Sequence, residues 1–240
     1  MAFGLAQSVI ALITILAAAT FWLYFLYMLS GPDERISFPR DLEQIQNLRG
    51  VLDEYVANNL SYTVLFFSSA YLYKQSFAIP GSVFMNLLSG ALFGVAKGFI
   101  LCCFLSACGA TSCFLLSKIF GKAVLTRFAP QRIEYFRSMI EKKDSEKDLF
   151  KYLLSLRIFP MTPNWLINMA SPLVGVPLDR FFLSVLVGLA PYNFLTCNAG
   201  SALADLKSLD DVVSLRAGLG LGLLAIGLLN PMKLYRKLKS

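Results

Sequence analysis

Long apolar segments without charge constrain this chain more than any other feature. Positions 4–29 form 26 consecutive residues with no charged side chain, and about 20 apolar residues suffice to cross a bilayer as a helix. Predominantly apolar stretches at 97–119, 178–199 and 212–229, with one or two charged residues each, predict three further spans. The chain is 56% apolar, above the usual range of about 45 to 50% for a soluble domain. We therefore predict an all-α polytopic membrane protein with about four transmembrane helices, and we exclude a cytosolic enzyme.

The first apolar segment has an alternative interpretation as a secretory signal, with Ala17, Ala18 and Ala19 offering small residues for cleavage. No basic region precedes it, and its 26 residues exceed the roughly 7 to 15 residues of a typical signal core. These features favour a retained transmembrane helix within residues 1–31.

Two other apolar stretches, 60–96 and 149–176, contain helix breakers. Proline removes a backbone donor and clashes with the preceding turn, while glycine adopts the angles that a chain reversal needs. The predicted breaks are Pro80, Gly81, Pro160, Pro163 and Pro172.

The distribution of charge predicts what these broken stretches do. The loop 119–148 and the tail 231–240 are rich in Lys and Arg, and short basic loops stay on the cytoplasmic side. Both lie on that side only if each broken stretch enters the membrane and returns to the same face. We therefore predict two re-entrant hairpins that enter from opposite faces and meet near the midplane, within a membrane domain covering 60–230.

A weak internal repeat supports this arrangement. An offset of 81 aligns residues 89–96 with 170–177 at three identities in eight positions. With one residue of slippage, Asn86 also matches Asn168. Inverted repeats with broken helices that meet at the midplane recur among transporters, so the two hairpins are interpreted as an inverted pseudo-repeat.

Two polar segments show helical spacing of apolar residues. Segment 32–59 is predicted to be a non-cytosolic amphipathic segment lying on the membrane. In the basic loop, Ile133, Phe136 and Ile140 form a shorter stripe. This stripe fits either a helix attracted to phospholipid headgroups or a solvated linker helix.

Two bases lie within the broken stretches. Arg157 lies among apolar residues, where a charge costs about 2.5 to 3.5 kcal/mol at a helix centre, and Lys74 is followed by Gln75. The alternative for Arg157 is an anchor that reaches back to the headgroup layer. No intramembrane carboxylate is evident as its partner, and a guanidinium binds phosphate with two hydrogen bonds. This predicts a path for phospholipid headgroups.

The predicted path includes three amides beside the two bases. Asn164 and Asn168 are four residues apart and therefore share a helical face, and Asn86 is the equivalent of Asn168 in the repeat. The path residues are Arg157, Asn164, Asn168, Lys74 and Asn86. The alternative role of the two later asparagines is to satisfy carbonyl groups freed by the prolines.

Other motifs are either absent or structural. The chain has no histidine, and it contains no phosphate-binding loop, EF-hand or nucleophile elbow. We therefore expect no catalytic residues, no metal, no cofactor and no enzymatic activity. Gly90, Gly94 and Gly98 repeat every four residues, which predicts close helix packing.

Three segments together resemble a known family. They are residues 77–82 (Phe-Ala-Ile-Pro-Gly-Ser), residues 88–94 (Leu-Ser-Gly-Ala-Leu-Phe-Gly) and residues 157–165 (Arg-Ile-Phe-Pro-Met-Thr-Pro-Asn-Trp). They are similar to the VTT domain of the DedA superfamily, and most of all to its transmembrane protein 41 branch, over residues 35–230. The resemblance implies two facing re-entrant hairpins, phospholipid scrambling and an endoplasmic-reticulum membrane location. It also implies that Arg157 and Pro160 belong to the arginine-containing hairpin motif.

One departure from the family limits what the resemblance implies. Bacterial relatives carry membrane acids before the first Pro-Gly pair, whereas this chain has Lys74 and Gln75 there. The proton coupling proposed for those relatives is therefore not expected here.

The sequence thus predicts an ATP-independent phospholipid scramblase of the endoplasmic reticulum or early secretory pathway, with a cytosolic C-terminus. Its expected partners are membrane phospholipids and not nucleic acid. Homo-oligomerisation and association with other membrane proteins stay open. A secondary transporter of a small anion and a membrane scaffold or trafficking factor are the alternatives.

Overall fold

The structure, a computed structural model, describes residues 4–30, 54, 56–121, 130–141, 145–158 and 163–205. All the regular elements in these residues are helical. The α-helices are α1 (Leu5–Ser30), α2 (Leu60–Ser76), α3 (Ser82–Leu116), α4 (Pro130–Glu141), α5 (Glu146–Ile158), α6 (Asn164–Ala170), α7 (Leu178–Gly188) and α8 (Ala190–Asp205). A π-helical turn, Ser117–Gly121, extends α3, and a 3-10 turn, Ser171–Val174, follows α6.

Within the described residues, three helical segments are long and apolar enough to cross a membrane. They are Leu5–Leu29, Ser82–Gly121 and Leu178–Ala204. The second contains a non-helical residue, Gly94, and the last is formed by α7 and α8 together. The prediction of an all-α membrane protein is confirmed at this level. The predicted span at 212–229 lies outside the described residues, as do the tail 231–240 and most of segment 32–59.

The first broken stretch folds as a helical hairpin, here called the first hairpin, made of α2 and residues 82–93. The rings of Phe67 and Phe93 meet edge to face with centroids 5.4 Å apart, and Lys74 contacts Ser82 near the turn. The turn 77–81 ends at Gly81, whose φ is 109°. Only glycine adopts this angle without strain, which explains the break at the Pro-Gly pair.

The chain reverses again at Gly94, inside α3. Its φ of 75° and ψ of 171° are not helical, so residues 82–93 fold back against residues 95–116. The Ser89 hydroxyl donates to the Gly98 carbonyl at 3.3 Å across this reversal. The prediction that Gly94 packs helices together is wrong, because nothing lies within 4 Å of the position where its Cβ would be. Its role is to permit the turn.

The second broken stretch forms α5 and α6, which are joined by hydrogen bonds from Arg157 to Asn164 and Asn168, and we call this pair the second hairpin. Pro163 precedes α6, where a missing amide hydrogen is tolerated, and Pro172 lies in the 3-10 turn that ends it. Pro160 falls outside the described residues. Gly175 then reverses the chain with a φ of 81°. It is the residue that the offset of 81 aligned with Gly94, so the two repeats share a glycine with a positive φ at the same position.

The main core lies between the second half of α3 and helices α4 to α7. Phe114 and Phe181 meet at its centre with ring centroids 4.8 Å apart. Ile133 and Phe136 of α4 are also buried, with Phe136 in this core. The apolar stripe of α4 therefore packs on the protein, which corrects the expectation of a membrane-facing or solvated helix.

Close backbone contact joins α3 to α8. A Cβ added at Gly90 would lie 1.9 Å from the carbonyl oxygen of Cys197, and one added at Gly200 would lie 2.0 Å from that of Leu87. Within α3, a Cβ added at Gly98 would lie 2.8 Å from the carbonyl oxygen of Ser89. Small residues allow such approaches between helices in membranes.

Candidate functional site

A cavity of about 220 Å³ lies between the turn of the first hairpin and the start of α6. The first hairpin contributes Lys74, and the second contributes Asn164 and Asn168. Residues near the junction of α7 and α8 close the cavity. The described residues that line it are Tyr71, Lys74, Gln75, Ala78, Ile79, Pro80, Ser82, Ser106, Pro163, Asn164, Trp165, Asn168, Leu189, Tyr192 and Asn193.

Lys74 is the charged residue of this lining. Its side chain is only 8% exposed, and its ammonium donates to Gln75 Oε1 at 3.1 Å and to the Ser82 hydroxyl. The ammonium also lies 5.7 Å from the ring centroid of Tyr71. Among the described lining residues none is acidic, and a lysine ammonium has three donors. The described wall therefore supplies no carboxylate to neutralise the charge of Lys74, and the two bonds to Gln75 and Ser82 leave one donor for an anion.

Arg157 donates hydrogen bonds to the side-chain amides of Asn164 and Asn168, which line the opposite wall of the cavity. Its Nη1 donates to Asn164 Oδ1 at 3.5 Å and to Asn168 Oδ1 at 3.2 Å, and its Nη2 donates to the same Asn168 oxygen at 3.3 Å. Its Nε donates to the Ser184 hydroxyl at 3.1 Å. The guanidinium stacks over the Phe181 ring, 4.9 Å from the centroid. Both asparagines thus turn their oxygens toward the arginine.

Arg157 does not line the cavity. It is 5% exposed, and four hydrogen bonds engage its donors. The sequence correctly indicated a guanidinium in an unusual setting, but these contacts assign it to positioning the two amides. The snorkelling alternative does not describe its geometry, because the head group is turned into the protein.

Asn86 lies behind the cavity in a buried polar cluster. Its Oδ1 accepts from the Tyr71 hydroxyl at 2.9 Å, and its Nδ2 donates to Asn193 and Thr196, each at 2.9 Å. Tyr71 also bonds with Ser106 at 2.7 Å. This cluster ties α2 and both halves of α3 to α8.

Sequence reasoning did not identify several residues of the site. Ser184 accepts a hydrogen bond from Arg157, and the missed residues of the cavity lining include Tyr71, Ser82, Ser106, Tyr192 and Asn193. Asn193 was detectable, because an amide within an otherwise apolar span is costly unless it is hydrogen-bonded. A serine or tyrosine in such a span carries a much weaker signal, because either residue satisfies its hydroxyl locally or at a membrane interface.

The geometry around Arg157 predicts the effect of a conservative substitution. Arg157→Lys should lower the free energy of unfolding by about 2 kcal/mol, because one ammonium cannot reach both amides and Ser184, and a hydrogen bond to a charged group contributes about 1.5 to 3 kcal/mol. Thermal unfolding of purified protein in detergent measures this. Arg137→Lys is the control, since the Arg137 side chain is 43% exposed. Equal unfolding midpoints for the two variants would contradict the prediction.

Among the described residues, membrane-length helical segments, two helical hairpins and a polar cavity between them define a polytopic α-helical membrane protein. The VTT domain matches residues 79–202, a range that begins in the turn of the first hairpin and ends in α8. The chain belongs to the VTT-domain family.

Relatives from animals cover almost the whole chain. Transmembrane protein 41 homolog of Caenorhabditis elegans is 38% identical over 93% of this chain and 91% of its own length. Transmembrane protein 41B of Danio rerio is 33% identical over 98% of this chain and 84% of its own. Transmembrane protein 41B of Homo sapiens is 32% identical over 98% of this chain and 81% of its own length. No solved structure shows a significant match.

Proposed function

We propose that this protein is an ATP-independent phospholipid scramblase, and not an enzyme, that moves lipid headgroups between leaflets past the cavity between its two hairpins. The observation that carries this proposal is Lys74, a buried cation in a cavity with no acid among the described residues of its lining. In a membrane protein, a charge in such a position marks a pathway for a substrate or ion. Phosphate is the anion that a membrane presents in greatest amount.

The cavity lowers the barrier that a headgroup meets in hydrocarbon. A charged group moved into an apolar medium loses its hydration, and fixed polar groups replace that hydration at a lower cost. Lys74 supplies positive charge, while Ser82 and Tyr192 on the lining add hydroxyl groups. The volume of about 220 Å³ is below the roughly 300 to 1,000 Å³ of ordinary ligand pockets. The cavity therefore suits the phosphate region of a lipid, with its acyl chains outside.

Within this proposal, the two hairpins are re-entrant and enter the membrane from opposite faces, with the C-terminus in the cytosol. Non-helical backbone at membrane depth needs partners within the protein. In the first turn, the amide of Phe77 donates to the Tyr73 carbonyl at 3.2 Å, and that of Ile79 donates to the Lys74 carbonyl at 2.9 Å. Such internal bonds meet this requirement. The endoplasmic reticulum or early secretory pathway is the proposed location.

Reconstitution tests the function directly. The purified protein is inserted into liposomes, at one or more copies per vesicle, with a fluorescent phospholipid in both leaflets, and an impermeant reductant is added outside. We expect fluorescence to fall beyond the outer-leaflet share without ATP and at the same rate with or without an ion gradient. Protein-free vesicles and vesicles with an unrelated polytopic protein are the controls. Loss of only the outer-leaflet share would refute scrambling.

A secondary transporter of a small anion is the second candidate, because the small cavity also fits a free anion beside Lys74. The same vesicles loaded with phosphate distinguish the two functions. Gradient-driven uptake of radiolabelled phosphate without lipid transfer would identify a transporter. A membrane scaffold or trafficking factor would need the helix near Ile133 to Ile140 for its contacts, whereas Ile133 and Phe136 are buried in the protein.

A further inference from the structure

An apolar groove runs between α1, the end of α2 and the end of α3, and we call it the α1 groove. One part has a volume of about 260 Å³, and Leu12, Ile13 and Leu16 of α1 line it. A second part, of about 460 Å³, continues along α1 to Trp22 and Leu23. Both parts share Ser76, Phe77 and Leu116 as lining residues. They therefore form one continuous path beside the first hairpin.

The α1 groove adjoins the polar cavity at a single small residue. Ala78 lines both the first part of the groove and the cavity that contains Lys74. Its φ is 56°, a left-handed conformation that is less favourable for a residue with a Cβ than for glycine. The side chain that the two compartments share is therefore a small one on a strained backbone.

The way α1 is attached leaves the groove open along its first part. The hydroxyls of Thr20 and Tyr73 bond at 2.9 Å, the Trp22 indole donates to Ser69 at 3.2 Å, and the Tyr62 hydroxyl donates to the Leu26 carbonyl at 2.6 Å. These contacts show that α1 and α2 run antiparallel, and all three use the second half of α1. Over residues 12–16, α1 presents leucine and isoleucine to the groove.

We propose that the α1 groove binds one acyl chain of the phospholipid whose phosphate lies beside Lys74, so that α1 forms the outer wall of a binding site for a single lipid. The inference rests on the proposed function for its headgroup site. A polar compartment that adjoins an apolar groove complements an amphiphile, whereas a free anion has no apolar part that could occupy the groove. The groove extends from residue 12 to residue 23 of α1. At about 1.5 Å per residue this is about 16 Å, about half of the roughly 30 Å hydrocarbon thickness, so the groove is long enough for much of one acyl chain.

A pair of matched substitutions on α1 tests the groove. Ile13 lines it and is 59% exposed, while Ile10, one turn earlier, is 64% exposed and does not line it. Ile13→Trp fills the groove, and the exposure of Ile13 leaves room for the larger side chain without repacking the core. Ile10→Trp makes the same change outside the groove. Both variants are purified as full-length protein in detergent and checked for helix content.

Binding of dipalmitoyl phosphatidylglycerol is then measured by native mass spectrometry, and lipid transfer is measured in liposomes. We expect Ile13→Trp to weaken binding and slow transfer by about tenfold, the effect of excluding a few methylene groups from an apolar site. Ile10→Trp should stay within about twofold of the unmodified protein, as a surface change does. The unmodified protein should also bind the dipalmitoyl lipid more tightly than the dihexanoyl lipid, and glycerol phosphate least of all.

The outcomes separate this inference from the proposed function. Equal binding and transfer by the two tryptophan variants would overturn the acyl-chain site, even if the unmodified protein scrambles lipid. Equal affinity for the two chain lengths would overturn it without any variant. If the unmodified protein transfers no lipid but shows the chain-length preference and the Ile13→Trp loss, the acyl-chain site is supported and scrambling is refuted.

Discussion

Lys74→Met is expected to slow phospholipid transfer in liposomes by at least about tenfold, because the hydrogen bond of a charged group to phosphate contributes about 1.5 to 3 kcal/mol. Methionine keeps the apolar stem of the lysine and removes only the ammonium, which donates to Gln75 and Ser82 at the cavity wall. Lys74→Arg keeps a cation that binds phosphate and should retain most of the transfer. The rate of fluorescence loss to an external reductant measures the effect.

The control for Lys74 is Lys151→Met. The Lys151 side chain is 76% exposed and lies 3.7 Å from Asp148 on the surface of α5. An exposed ion pair contributes at most about 1 kcal/mol to stability, so this variant should fold normally and transfer lipid at the unmodified rate. Unchanged transfer by Lys74→Met, with normal helix content, would show that the cavity cation is not on the lipid path.

Gly90→Ala is expected to destabilise the protein by about 3 kcal/mol, at the upper end of the cost of overpacking. The new Cβ would lie 1.9 Å from the carbonyl oxygen of Cys197 and 2.9 Å from its Cα. Because the obstacle is backbone, no side-chain rotation relieves the clash, and α3 and α8 must move apart. The unfolding midpoint in detergent should fall well below that of the unmodified protein.

Gly4→Ala provides the matched control for this contact. It is the same substitution, and its nearest neighbour is a side-chain oxygen of Gln7 at 3.8 Å, an ordinary van der Waals distance. Separation of α3 from α8 should also disturb the polar cluster, since Asn86 bonds to Asn193 across the same contact. If Gly90→Ala and Gly4→Ala have the same unfolding midpoint within experimental error, α3 and α8 do not approach as closely as described.

Much of the architecture was predictable because it depends on local properties. Apolar length predicts membrane-length helices whatever their neighbours, and Pro80 with Gly81 predicts a break because the backbone angles are restricted in any context. Asn164 and Asn168 were assigned to a common face from helical spacing alone. In the structure, both accept hydrogen bonds from Arg157. A cation in an apolar segment also indicates an unusual site without any structure.

By itself, the sequence determined the helical class, the positions of the breaks and the residues whose burial needs an explanation. The tertiary structure alone decided that Lys74 lines the cavity while Arg157 lies behind it, that Gly94 turns the chain and does not pack helices, and that the stripe on α4 faces the core. The physical reason is that periodicity and composition report the environment of a residue along its own helix. Which other helix approaches that face, and at what distance, depends on contacts between residues far apart in the chain.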